Sequence, residues 1–223
     1  MSDISLFDIM KKKEGIYMKV IIINASPRSN GNTNRLLGEV KKTFEENQVQ
    51  WKEFDVGKEN VRGCLACGYC KKGSGCVLKD IVNDIASVLK DADGLIVASP
   101  VYFASPNGTL ISLLDRLFYS ASFSMKMKVG ACFAIARRAG TTASFDVLNK
   151  YFTISGMPVV SGDYWNNGYG RMEGEIEKDE EGLRNARIVA KRMVFLMKSI
   201  ADGKNSYGDL LEDEARVMTN FIK

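Results

Sequence analysis

Histidine is absent from all 223 residues of the chain. That absence excludes Ser-His-Asp and Cys-His nucleophile arrangements, a His-ligated haem, and zinc sites that mix cysteine with histidine. Long apolar runs are missing as well. The stretch VGACFAIA at residues 129–136 falls well short of the roughly 20 residues a bilayer crossing needs. The first residues place Asp3 and Asp8 ahead of the basic triplet Lys11–Lys13. A secretory leader has the reverse order, basic residues and then an apolar core. No membrane partner is therefore expected, and the expected location is the cytoplasm. A basic stripe is lacking too: 31 basic side chains are interspersed with 27 acidic ones, for a net charge of +4. No nucleic acid is expected as a partner.

What is present is an alternation of apolar runs and helical patterns, the mark of βαβ units and a parallel sheet. Val20–Ile23 reads as a buried first strand, followed by a helix over 33–46 with Leu36, Leu37, Val40 and Phe44 on one face. Trp51, Phe54 and Val56 suggest a second strand, and Ile81, Ile85, Val88 and Leu89 a helix near 80–91. Gly94–Ala98 reads as the third strand, with Leu110, Leu113, Leu114, Leu117 and Phe118 marking the next helix. Residues 129–136 give a fourth strand, 143–153 a helix, Val159-Val160 the start of a fifth strand, and 183–201 a last helix. Cys132, inside the fourth strand, reads as a small buried hydrophobe. The expectation is a flavodoxin-like three-layer α/β/α sandwich around a five-stranded parallel sheet of order 2-1-3-4-5. One domain over 18–202 carries a cysteine-rich insert at 63–77, with an arm at 1–17 and an extension at 203–223.

Between the first strand and its helix lies Ala25-Ser26-Pro27-Arg28-Ser29-Asn30-Gly31-Asn32-Thr33. A helix start exposes unpaired N–H groups and the positive end of the helix dipole, which attract a phosphate. Ser26, Ser29 and Thr33 add hydroxyls, Asn30 and Asn32 amides, and Arg28 a permanent charge. Neither a Gly-Lys-Ser/Thr ending nor Gly-x-Gly-x-x-Gly is present, so the loop is of neither nucleotide-binding type. The competing reading is a polar turn with Asn32 or Thr33 as helix cap. In the order 2-1-3-4-5 the sheet reverses between strands 1 and 3, and ligands bind in that crevice. The loop after strand 3, with Pro100, Val101, the aromatic pair Tyr102 and Phe103, and Asn107, then faces the same crevice. So does the loop after strand 4, with Arg137, Gly140 and Thr141. The competing readings are packing of the aromatics on the adjacent helix and a solvated turn capped by Thr141.

These segments resemble the NADPH-dependent FMN reductase family. Its Ser-Pro-Arg phosphate loop matches residues 26–28, and its Pro-x-Tyr flavin loop matches Pro100-Val101-Tyr102, with Asp115-Arg116 ending the following helix. Tyr164-Trp165-Asn166, within Gly162–Gly170, resembles a late segment of the same family. The chain departs from it at Ile111, where a lysine is frequent, and at Ile81, where a second acid is frequent. The resemblance implies FMN as cofactor and NAD(P)H as co-substrate. It also implies a small-molecule or protein electron acceptor and assembly as a homodimer or homotetramer.

The cysteines are the sharpest local signal. Cys64-x2-Cys67-x2-Cys70-x5-Cys76 places four of the five within 13 positions. Thiolates at this spacing can converge on one metal or cluster. Four readings stay open: a [4Fe–4S] cluster, a zinc ion with four thiolate ligands, free thiols or a redox disulfide, and a structural disulfide, the last disfavoured in a cytoplasmic chain. The spacing resembles the compact motif of iron–sulfur flavoproteins. The expectations are thus an FMN-dependent oxidoreductase, a one-electron iron–sulfur flavoprotein, or a non-enzymatic zinc-stabilised module.

Overall fold

Almost unbroken branched apolar character makes Lys19–Asn24 an interior strand, β1, with its last five residues buried. The computed structural model describes residues 18–211 apart from Ser74, together with Glu214, Ala215, Val217 and Thr219. The arm expected at 1–17 lies outside the described residues, as does part of the extension expected at 203–223. Around β1 run β2 (Gln50–Asp55), β3 (Gly94–Tyr102), β5 (Val129–Ala136) and β6 (Asn167–Tyr169), all parallel, in the order β2-β1-β3-β5-β6. This is the predicted order once β4 (Ser105–Pro106) is set aside as a short antiparallel hairpin arm on the end of β3. The interior strand β5 is buried at all eight positions, as a parallel strand covered on both faces must be.

Alternation along the strands sorts the core into two layers. Val20, Ile22, Ile96, Ala98, Phe133 and Ile135 pack with helix α1 (Asn32–Glu46) and α5 (Glu180–Tyr207). Ile21, Ile23, Leu95, Val97 and Cys132 pack on the opposite face with α2 (Ile81–Leu89), α3 (Gly108–Ser120) and α4 (Thr141–Ile154). The apolar stripe of the last helix, from Ala186 through Met197, is spent on the sheet. No helix among the described residues is long and apolar enough to cross a membrane.

Two elements differ from the expectation. The fifth strand does not continue from Val159-Val160, which make only an isolated bridge to Gly130. The chain leaves the sheet after Val160 and returns at Asn167. Asn185 of α5 holds the excursion, donating to the carbonyls of Tyr164 and Trp165 at 3.3 Å each and accepting the Asp163 N–H at 2.9 Å. The third strand runs four residues beyond Ala98, because Ser99 and Pro100 still pair with β5 and Val101 and Tyr102 pair with β4.

That hairpin closes with Phe103 and Ala104, both at positive φ (50° and 58°). Two-residue hairpin loops of this hand favour Asn-Gly, and an ordinary L-residue there costs ~1–2 kcal/mol. Phe103 is fully exposed and repays none of this by burial. The double replacement Phe103→Asn, Ala104→Gly is expected to raise unfolding free energy by ~1–3 kcal/mol in urea titrations. No gain in midpoint would show that the turn is unstrained.

Candidate functional site

The loop after β1 is built by its neighbours before any ligand arrives. Asn24, fully buried at the end of β1, accepts the Ser26 N–H at 3.0 Å through Oδ1. Its amide donates to Asp55 Oδ1 (2.9 Å), Glu53 Oε1 (3.0 Å) and Asn34 Oδ1 on α1. The Ser26 hydroxyl takes the Arg28 N–H at 3.2 Å, and the Arg28 carbonyl accepts the Gly31 N–H at 3.1 Å. Asn34 donates to the carbonyls of Arg28 and Ser29. Loop carbonyls are thereby engaged from the α1 side.

The first turn of α1 has no such partners. Among the described residues, α2, α3 and α5 are capped by the side chains of Asp80, Asn107 and Asp179, which accept N–H groups of their first turns. α1 and α4 start at Gly31 and Gly140 with no side-chain cap. The reading of Asn32, Thr33 or Thr141 as caps therefore does not hold. An uncapped start leaves several N–H donors unpaired and the helix dipole unopposed. α1 opens onto a hollow of about 160 Å³ at the C-terminal edge of the sheet. Its lining holds three guanidinium-bearing side chains, Arg28, Arg137 and Arg171, and no carboxylate among the described residues. α4 starts beside the same rim: a Cβ on Gly140 would come within 2.7 Å of the Ala104 Cα and 3.1 Å of Val101 Cγ1.

Of the predicted residues, Ser26, Arg28, Asn32, Thr33, Pro100, Val101, Tyr102 and Arg137 line this hollow. The others stand elsewhere. Ser29 and Asn30 are exposed at the loop tip, where Lys58 donates to the Ser29 hydroxyl (3.4 Å) and Arg35 to the Asn30 carbonyl (3.3 Å). Phe103 projects from the hairpin into solvent. Asn107 is buried and braces the fold, capping α3 and donating to the Ala25 carbonyl at 3.1 Å. Thr141 is buried with its hydroxyl 3.1 Å from that of Tyr169. Asn32 also latches the segment after β6, donating to the Met172 carbonyl (3.0 Å) and accepting the Ile176 N–H (3.3 Å).

Sequence reasoning missed three contributors. Asn24 reads as the polar end of a strand. Arg171 follows directly on the recognised Gly162–Gly170 segment, and a basic residue there was the available signal. Gly57 gives no local signal at all, yet a Cβ there would lie 2.3 Å from the Ser26 carbonyl carbon and 2.5 Å from the Pro27 nitrogen. Only glycine lets the backbone after β2 support the loop from behind.

A second hollow of about 660 Å³ lies against α3 and α4, and Cys64, Cys67, Cys70 and Cys76 all line it. The loop between them turns through positive φ at Ala66, Gly68, Gly73 and Gly75. All five cysteines are free thiols, and Cys132 is buried, its thiol pushed up by burial. Among the described residues, no three Cys, Asp or Glu side chains form a ready-made metal site. The four cysteines line one hollow, and their sulfurs do not converge on a point. One of them is bound: Cys76 Sγ accepts from Arg116 Nε (3.3 Å) and Nη2 (3.2 Å), while Asp80 pairs with the same guanidinium at 2.7 and 2.9 Å. Burial opposes the Arg116 charge, but the bonds to Asp80 and Cys76 outweigh it and hold the pKa above its ordinary value. Tyr164 and Trp165, edge to face at 4.9 Å, line a third hollow at the sheet edge rather than the arginine-lined one.

Comparison with known proteins adds independent information. The family described as NADPH-dependent FMN reductase matches residues 18–171. An iron–sulfur flavoprotein of Methanocaldococcus jannaschii is 31% identical over 191 residues, covering 82% of this chain and 99% of that one. Among solved structures, RosB with a bound flavin-type intermediate (8-demethyl-8-formylriboflavin-5'-phosphate) superposes with a TM-score of 0.64 at 14% identity, over 92% of each chain. A flavodoxin from the domain Archaea superposes at 0.55 and 16% identity, over 81% of this chain and 99% of that one. At these identities the two structures speak for the fold alone, which is flavodoxin-like.

The support from Gly57 is testable. Overpacking such as Gly57→Ala costs ~1–3 kcal/mol where neighbours are backbone. Expressed at the loop, it is expected to weaken FMN uptake about tenfold or more in a fluorescence titration. Unchanged affinity would remove Gly57 from the site.

Proposed function

We propose an electron-transfer function from one premise: the chain belongs to the NADPH-dependent FMN reductase family. The reading is an FMN-dependent oxidoreductase that passes electrons from NAD(P)H to a small-molecule or protein acceptor. The observation that carries it is the uncapped start of α1 opening onto a hollow with three arginines and, among the described residues, no acid. A phosphate dianion satisfies that end: it accepts the free first-turn amides and is neutralised by Arg28, Arg137 and Arg171. The residues present fit the phosphate of FMN.

Thr33 offers a hydroxyl in the hollow, beside Ser26, whose own hydroxyl donates to the Arg28 carbonyl at 3.2 Å; both residues are largely buried. Its volume suits the phosphate end, since whole drug-sized ligands need ~300–1,000 Å³. Pro100, Val101 and Tyr102 on its lining, with the exposed Phe103 next in the chain, offer backbone groups and aromatic faces to a flat ring. Bound FMN would supply the redox chemistry, taking two electrons from a nicotinamide and yielding them singly or in pairs. A chain without histidine can host such chemistry because the cofactor performs it. The exposed side chains of Phe103, Tyr164 and Trp165 suit an interface in a homodimer or homotetramer.

A second reading is favoured by one observation, the four cysteines lining a single hollow. Four thiols supply the ligand count of a [4Fe–4S] cluster, and that donor set fits it. Cys64, Cys67, Cys70 and Cys76 would hold it, adding one-electron capacity and making the protein a carrier.

Two measurements test this. FMN is expected to bind ~100-fold or more tightly than riboflavin, since two charge-assisted bonds of ~1.5–3 kcal/mol each suffice for that preference. Arg28→Ala should reduce the preference. Protein that takes up no FMN would end the proposal. Anaerobic purification with an absorption spectrum and analysis for iron, sulfide and zinc separates the metal readings: yellow protein without iron, brown protein with iron and sulfide, or colourless protein with one zinc.

A further inference from the structure

The four cysteines of the loop are not equivalent. Cys64 and Cys67 are exposed, and Cys70 lies half-buried in a short 3-10 turn, Tyr69–Lys72. Cys76 is fastened from two sides. Its backbone N–H donates to Asn83 Oδ1 and its carbonyl accepts from Asn83 Nδ2, each at 3.0 Å. Its sulfur accepts two N–H bonds from Arg116, at 3.3 and 3.2 Å. The guanidinium is committed throughout. Nη1 also donates to the Arg62 carbonyl and Asp80 Oδ2, and Nη2 to the Leu78 carbonyl and Asp80 Oδ1. The Arg116 side chain is 1% exposed.

A buried arginine that only fastened the loop would be satisfied by carbonyls and a carboxylate. This one aims two donors at a sulfur. Asp80 balances its charge, so what the sulfur receives is a pair of fixed N–H dipoles, poorly screened by salt because they are buried. Hydrogen bonds to a cluster's ligand sulfurs favour the more negative, reduced state and raise its reduction potential.

We propose that Arg116, fixed by Asp80, is a positioning residue for the cysteine centre. It holds the Cys76 sulfur in place as the preformed ligand and raises the reduction potential of a [4Fe–4S] cluster on Cys64, Cys67, Cys70 and Cys76. The proposal rests on the iron–sulfur reading above, and its test separates the two.

Wild-type protein labelled with 15N-arginine is purified anaerobically, analysed for iron and sulfide, reduced, and examined by pulsed EPR. An arginine nitrogen coupling on the cluster signal is expected. Arg116→Lys keeps a cation for Asp80 but cannot present two donors to the sulfur. It is expected to lose that coupling and shift the midpoint potential to a more negative value in an EPR-monitored redox titration, with FMN affinity unchanged. Asp80→Asn, which loosens the guanidinium, should shift the potential the same way by less. Wild type lacking iron and sulfide overturns the cluster reading and this proposal together. Wild type with a cluster but no arginine coupling, or a loaded Arg116→Lys with the wild-type potential, overturns the role of Arg116 alone. Should neither variant load a cluster, the coupling in wild type decides.

Discussion

Backbone amides that the fold leaves without partners organise this molecule. A helix of 15 residues begins at the switch point of a parallel sheet, and its first turn receives no side-chain cap. Such an end is costly to bury and favourable to pair with an anion. The surrounding structure preserves that condition. Asn24 and Asn34 engage the loop's own polar groups from behind, and Gly57 can approach the loop closely only by lacking a side chain. The arginines then come from three separate loops, so the positive field needs the whole sheet order to assemble. Family membership agrees with a site of this design.

Much of this was legible in the residues because the signals were local. Val20–Ile23 has too many branched apolar side chains to be anything but a buried strand. Leu36, Leu37, Val40 and Phe44 recur at helical spacing, and all four are buried. The loop proposed to hold the phosphate lies where the two patterns meet. Misreadings came where tertiary contacts decided. Val159-Val160 has strong strand propensity and bridges Gly130, but the residues after it are held off the sheet by Asn185, which is distant in sequence and visible only in the fold. Asn107 groups in sequence with the other residues of its loop, and its amide closes a contact to Ala25 across 82 positions that the sequence does not display. Gly57 carries its meaning in a backbone approach that no periodicity encodes.

The cysteine loop was legible in spacing and illegible in rank. Four thiols at close intervals look alike in a sequence. The fold distinguishes them, because Arg116 projects from the middle of α3 and reaches one sulfur only. Both hollows depend on α3, whose first residues adjoin the β3–β4 hairpin and whose last residues, Phe118 to Ser120, wall the cysteine hollow. With 13 residues at ~1.5 Å rise, the helix separates its two ends by ~20 Å.

The division of the fifth strand also governs how copies of the chain can meet. One rim of the sheet ends on β6, only three residues long. The opposite rim, β2, intersperses Lys52, Glu53 and Asp55 among its six residues. Short and charged borders make poor templates for a foreign strand. Growth of the sheet from molecule to molecule is discouraged on either side, so self-association is directed to helix faces and loops, and aggregation through main-chain ladders is suppressed.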